Sequence, residues 1–251
     1  MRDLFAVWKN TRLVVQVALT AGLYAALLIP FKPIPLVPGI TEVRPANAIP
    51  IVCALLFGPA AAWGSAFGNL IGDFFGTLGP GSLFGFVGNF LFAYVPYRAW
   101  GAHRLAGREA DAPITAGRGL WEYFLVTGAA SLVCAVVIGW GCELLGLAPG
   151  FAVANIIVLN NFIVAAILGP PLLLALYPRV KRWGLLHWQI LGRDPVRRSA
   201  RASLGALLCW VGCAAALVLG NAAVIRQAGG MEVVQAVAVP LGVVVVGVLM
   251  L

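Results

Sequence analysis

The stretch Ala60-Ala61-Ala62-Trp63-Gly64-Ser65-Ala66-Phe67-Gly68-Asn69-Leu70-Ile71-Gly72-Asp73-Phe74-Phe75-Gly76 decides how the chain is read. Gly64, Gly68, Gly72 and Gly76 recur every fourth residue, and Ser65, Asn69 and Asp73 follow the first three one position later. Four-residue spacing places each set along one face of a helix, with the polar line about 100° around the axis from the glycines. A ridge without side chains lets another helix approach closely in lipid. An amide and a carboxylate beside that contact are costly in hydrocarbon and turn toward a cavity or a protein neighbour. The stretch is therefore expected to be a membrane helix whose polar line faces a site.

The rest of the chain agrees. Of its 251 residues 61% are hydrophobic and 10% charged, and the mean hydropathy is +0.96, more apolar than a soluble core requires. Apolar windows fall at 12–30, 48–58, 59–77, 82–100, 119–147, 151–177, 203–224 and 232–251, about eight spans at roughly 20 residues each. They predict an all-α integral membrane protein with no soluble domain. The window 48–58 is short and ends in Phe57-Gly58-Pro59, which predicts a half-length helix turning tightly into the next. A broken pair of this kind usually lines a cavity. The first apolar segment is too long, and too directly followed by further spans, to read as a cleaved signal peptide.

Orientation follows from the cations. Arg2, Lys9 and Arg12 precede the first span; Arg98, Arg104, Arg108 and Arg118 border the next long polar loop; Arg179, Lys181, Arg182, Arg193, Arg197, Arg198 and Arg201 fill a third segment. With eight crossings these segments share one side, which the positive-inside rule makes the cytoplasm of a plasma-membrane protein with both termini inside. The net charge of +8 is dispersed over short loops facing the anionic lipid bilayer. No recognition module accompanies it, so no nucleic-acid partner is expected.

That orientation places Asn69, Asp73, Asn89, Glu143, Asn155, Asn160 and Asn161 in the outer half of their spans. The first external loop, residues 31–50, adds Lys32, Glu42, Arg44 and Asn47, and its prolines suit a segment that folds back over that half. Together these residues predict a polar pocket open to the outside. Taken singly, each asparagine is equally well read as a bridge between helices. Trp63, Phe86, Phe90 and Tyr94 offer stacking surfaces for a heterocyclic ligand, or serve as packing and interface anchors. In the first span Ala18, Gly22 and Ala26 share one row and Ala21 and Ala25 the neighbouring row. That smooth face suits close packing within the chain or against another protein.

The remaining motifs carry less chemistry. Cys53, Cys134, Cys142, Cys209 and Cys213 lie in apolar windows and read as small packing residues. Cys209 and Cys213 share a face, but without nearby histidine or carboxylate they make a poor metal site. Neither a metal nor a cofactor is expected. The chain has no Gly-x-x-x-x-Gly-Lys-Ser/Thr loop, so any ATP-driven step needs a motor from elsewhere. Asp194-Pro195 predicts the cap and first turn of the seventh helix.

Thr41-Glu42-Val43-Arg44-Pro45-Ala46-Asn47-Ala48-Ile49-Pro50, leading through Leu56-Phe57-Gly58-Pro59 into a helix ending Asn69-Leu70-Ile71-Gly72-Asp73, resembles the substrate-binding S components of energy-coupling factor transporters. The small-residue first helix is also similar to that family's, where Ala21 and Ala25 hold the spacing that meets the transmembrane coupling subunit. The likeness is best over 12–100 and extends as topology to about 178. It implies a six-helix core at 1–178, a basic cytoplasmic linker at 179–202 and two additional transmembrane helices at 203–251. It further implies a vitamin or related micronutrient captured outside, for which the polar pocket offers Glu42, Arg44, Asn47, Asn69, Asp73, Asn89, Glu143, Asn160 and Asn161 as the expected binding residues. Delivery would then require a coupling subunit and two ABC-type ATPases. The placement of Glu42 to Ala48 is similar to queuosine-precursor transporters of the same superfamily.

Two other classes compete. An intramembrane enzyme would need chemistry that is thinly supplied: His103 and His187 fall in loops, no His-Glu-x-x-His or Gly-x-Ser-x-Gly pattern occurs, and only Glu143 pairs with Asp73 in depth. A self-contained secondary transporter often carries matched broken helices. Gly169-Pro170-Pro171, expected to interrupt the sixth span, would mirror Phe57-Gly58-Pro59, although the surrounding residues do not repeat.

Overall fold

Nearly every apolar window becomes helix in the computed structural model, which describes residues 2–37, 41–42, 44–103, 105, 114, 117–192 and 199–251. Among these the helices are α1 (Arg2–Ala6), α2 (Thr11–Leu28), α3 (Ala48–Phe57), α4 (Pro59–Asp73), α5 (Ser82–Ala99), α6 (Gly117–Leu144), α7 (Gly150–Arg182), α8 (His187–Leu191), α9 (Ala200–Ile225) and α10 (Gly230–Met250). A small antiparallel hairpin, β1 (Pro35–Val37) with β2 (Thr41–Glu42), sits in the loop before α3 and pairs Pro35 with Glu42. The protein is an all-α membrane protein; α2, α6, α7, α9 and α10 are long and apolar enough to cross a bilayer.

Local chemistry sets the breaks. Asn10 caps α2 by accepting from the N–H groups of Arg12 and Leu13. The 10 residues of α3 rise about 15 Å, half a hydrocarbon core. It ends at Gly58, whose φ of +57° favours glycine. An added Cβ there would lie 2.7 Å from Cγ of His187. Pro59 then opens α4, where a missing N–H costs nothing.

The glycine ridge of α4 packs on α2. A Cβ at Gly64 would lie 2.5 Å from Cβ of Thr20, one at Gly68 2.9 Å from the Ala21 carbonyl, and one at Gly72 2.5 Å from Leu28 Cδ2. Gly76 departs from the expected ridge, because α4 ends at Asp73 and Gly76 turns into open space with φ +152°. The same contact corrects the reading of α2. Ala21 and Ala25 are buried inside the protein, 6% and 5% exposed. The accessible small row is Ala18, Gly22 and Ala26, with nothing within 4 Å of a Cβ on Gly22.

Two further expectations change. Gly169-Pro170-Pro171 does not interrupt its span: α7 runs unbroken for 33 residues. Tyr123 of α6 donates to the Ala165 carbonyl at 2.8 Å, and Gly169 leaves the room for its hydroxyl that a Cβ would take. Helix α9 starts at Ala200, capped by Ser199, whose Oγ accepts from the Ala202 N–H at 3.0 Å; Asp194-Pro195 lies outside the described residues. Helices α9 and α10 pair closely and pack on α6. Asn155 of α7 and Asn221 of α9 exchange amide hydrogen bonds at 2.7 and 3.3 Å, so Asn155 bridges helices. Arg98, at the end of α5, donates to the Leu251 carbonyl at 2.9 Å and lies 3.8 Å from Asp3.

Gly68→Val is expected to lower stability by about 1–3 kcal/mol through overpacking of α2 against α4. Gly22→Val, on the open row, should stay within about 0.5 kcal/mol of the parent. Thermal unfolding of both variants in detergent measures the difference.

Candidate functional site

The end of the ridge opens onto a cavity of about 430 Å³, lined by Arg44, by the last turn of α4, the turn at 76–81 and the start of α5, and by one face each of α6 and α7. The periodicity of α4 explains the first contribution: Asn69 and Asp73, one residue past the ridge glycines, point away from the α2 contact. Helix α5 adds Ser82, Gly85 and Asn89, and α7 adds Ile157 and Asn161. Helix α6 presents Cys134, Ile138 and Cys142, one row at four-residue spacing and the apolar wall of the site.

The polar side chains form two connected chains. In the first, Arg44 donates to Asn69 Oδ1 at 3.0 Å, Asn69 Nδ2 donates to Asp73 Oδ2 at 3.2 Å, and Thr77 Oγ1 donates to Asp73 Oδ1 at 2.9 Å. Lys32, from the loop after α2, completes it, with Nζ 2.6 Å from Thr77 Oγ1 and 3.4 Å from Asp73 Oδ1. In the second, the Tyr24 hydroxyl lies 2.8 Å from Asn89 Oδ1 and 3.0 Å from Asn47 Oδ1; its single proton serves one amide at a time. Asn47 Nδ2 donates to Asn161 Oδ1 at 2.7 Å, and Asn89 Nδ2 to the Gly85 carbonyl at 2.9 Å. The Lys32 and Asp73 side chains are 5% and 6% exposed, so their ion pair is largely withdrawn from water.

Of the residues expected from sequence, Arg44, Asn69, Asp73, Asn89 and Asn161 line the cavity, Arg44 being the contribution of the loop before α3. Asn47 is buried just behind, tying Tyr24 to Asn161. Glu143 lies elsewhere: its Oε1 accepts from the Gly150 N–H at 2.7 Å and caps the start of α7. Asn160 is half-buried and stands outside the lining, one residue and about 100° around α7 from Asn161. The side chain of Glu42 lies outside the described residues. Trp63, Phe86, Phe90 and Tyr94 also stand outside the lining and pack in an aromatic ladder: Trp63 meets Phe90 edge-on at 5.0 Å, and Phe90 stacks on Tyr94 at 5.8 Å.

Sequence reasoning missed Tyr24, Thr77, Cys134 and Cys142, and counted Lys32 toward the polar pocket without naming it as a ligand group. A tyrosine in the middle of an apolar helix needs a partner for its hydroxyl, and that signal was present. The α6 row carried none, because cysteine and isoleucine look like core. The arrangement offers a carboxylate, a guanidinium and several amides against an apolar wall. This suits orientation of a small polar molecule by hydrogen bonds. Among the described residues no cluster of three or more His, Cys, Asp or Glu could hold a metal ion.

The profile of the QueT transporter family matches residues 14–178. No curated protein and no solved structure matches the chain.

Asp73→Ala is expected to destabilise the protein by about 3–5 kcal/mol, since it removes the carboxylate that Asn69, Thr77 and Lys32 share in the interior. The double variant Lys32→Met with Asp73→Leu should recover most of that loss. Thermal unfolding of the two single variants and the double gives the coupling directly.

Proposed function

Because the chain belongs to the QueT transporter family, we propose that it is the substrate-capture subunit of an energy-coupling factor importer, taking a micronutrient from outside the cell. The observation that carries this reading is the polar cavity. Its lining side chains lie on α4, α5, α6, α7 and the loop before α3, all within the matched residues 14–178. The cavity sits where α4 ends beside the end of α2, the end opposite Arg12; on this reading the positive-inside rule makes that end the exterior and both termini cytoplasmic. The family assignment favours transport over catalysis. Capture by hydrogen bonds fits a zwitterionic or heterocyclic compound, and a queuosine precursor is the first candidate. With no phosphate-binding loop in the sequence, delivery depends on a transmembrane coupling subunit and two ABC-type ATPases.

The coupling subunit would meet α2 on the row Ala18, Gly22 and Ala26, which is open where Ala21 and Ala25 are not. Small residues allow the close helix approach that replaces hydrophobic driving force in a bilayer. The division into a core at 1–178, a linker at 179–202 and two appended helices at 203–251 is part of this reading, and the end of the family match at 178 supports its first boundary. The linker is held to the core by Gln16 Nε2, which donates to the Leu185 carbonyl at 2.6 Å. A self-contained transporter loses its main support, since α7 is unbroken and the matched pair of broken helices is gone.

The purified chain should bind a queuosine precursor yet fail to accumulate it in liposomes, whereas the complex with coupling subunit and ATPases should accumulate it when ATP is supplied. Asn89→Ala and Asn161→Ala should each weaken binding about fivefold or more, the worth of a buried hydrogen bond, without preventing membrane insertion. Gly22→Leu should abolish copurification of the coupling subunit while leaving binding intact. Uptake by the chain alone would overturn the proposal.

A further inference from the structure

Gly85, near the start of α5, lines the polar cavity, and neither the backbone nor helix packing calls for glycine there. It sits in regular helix without a positive φ, where alanine is the better helix former. A Cβ at Gly64, Gly68, Gly72 or Gly88 would meet carbon or backbone atoms of a neighbouring helix, as close helix contacts in a membrane require. A Cβ at Gly85 would instead meet only two side-chain tips, Asn69 Nδ2 at 3.0 Å and Asp73 Oδ2 at 3.7 Å. The missing side chain therefore uncovers one polar pair toward the cavity, whose wall Asn69 and Asp73 share with Gly85.

The polarity of that pair is fixed. Arginine carries only donors, so Arg44 on Asn69 Oδ1 turns Nδ2 toward Asp73, to whose Oδ2 it donates at 3.2 Å. One Nδ2 hydrogen is spent on this bond, and the other has no partner among the described residues. Thr77 and Lys32 both engage Asp73 Oδ1, so Oδ2 keeps a second lone pair. Across Gly85 a ligand thus meets one donor and one acceptor side by side, on residues one helical turn apart. The pair suits an amide-like edge, in which a ring N–H donates to Asp73 and the adjoining oxygen accepts from Asn69. Asparagine reads a base edge in DNA by the same bidentate pairing, here divided between two side chains. The carboxylate makes the N–H bond the stronger of the two.

We propose that Gly85 is a specificity-determining residue: by withholding a side chain it lets Asn69 Nδ2 and Asp73 Oδ2 together read a lactam edge of the captured ligand. The inference rests on the importer reading for its ligand and adds which edge is read and by which atoms. An alanine Cβ at 85 would stand against both atoms and keep the ligand edge from either. A ligand methylated on the lactam nitrogen loses the bond to Asp73 and buries that oxygen without compensation.

The test is isothermal titration calorimetry of the full chain in mild detergent with two probes, 7-aminomethyl-7-deazaguanine and its derivative methylated on the lactam nitrogen. The parent protein should bind the unmethylated probe about tenfold or more tightly than the methylated one, the worth of a hydrogen bond to a charged group. Gly85→Ala should melt no lower than the parent, because alanine favours the helix. It should lose about tenfold in affinity for the unmethylated probe and bring the two probes within about threefold of each other. Asn89→Ala, one turn further along the same row, should weaken both probes alike and keep the discrimination. Full discrimination by the folded Gly85→Ala variant, or equal affinity of the parent for both probes, would overturn the inference and leave the substrate assignment standing. Binding of neither probe by the parent would overturn it together with that assignment, while the importer class would still be decided by copurification of the coupling subunit.

Discussion

The close approach of α2 and α4 is the contact on which the other parts depend. With hydrogen in place of a side chain at Gly64, Gly68 and Gly72, α2 lies directly on the α4 backbone. Tyr24 and Leu28 are thereby carried over the ridge and fully buried. Tyr24 then reaches Asn47 and Asn89, and the chain leaving α2 places Lys32 over the last turn of α4. A larger residue on the ridge would displace both groups from the network at once. Packing in a bilayer has no hydrophobic drive to restore such a contact once lost.

The polar network is the second constraint, and it follows from the first. Amides, a carboxylate and a lysine at low dielectric are costly unless each finds a partner. Here the partners come from five separate segments: α2, the loop before α3, α4, α5 and α7. Such a network fixes the relative positions of these segments more sharply than apolar packing can, because a displaced amide loses its partner altogether. The cavity is thus held open by groups most of whose hydrogen bonds are made within the network itself.

The short helix α3 divides the molecule. Its first residues follow Asn47, at the polar cavity, and its last reach Gly58 beneath His187. Because it spans only half the membrane, there is room for the loop and its polar groups beyond one end. Along its side lies an apolar groove between α2 and α7. Helices α9 and α10 cover a different flank, tied to the core by the Asn155–Asn221 pair and by Arg98, which links α5 to Leu251.

Composition and spacing by themselves determined the membrane class, the positions of the helices, the half-length α3 and the polar line on α4, since hydrophobic period and glycine spacing are local properties of the chain. Asn69, Asp73, Asn89 and Asn161 were legible for the same reason: polar groups in apolar helices must face something. Only the tertiary structure decided what each faces. Glu143 looked equivalent to Asp73 in depth but points to the α7 backbone, and the aromatic residues looked like ligand platforms but meet one another. Ala21 and Ala25 could not be told from Ala18, Gly22 and Ala26 until the rotation of α2 against α4 was known. Cys134, Ile138 and Cys142 became a wall of the site only through the placement of α6. Rotation about a helix axis depends on the neighbour that packs against it, and no local pattern in a uniformly apolar helix encodes that neighbour.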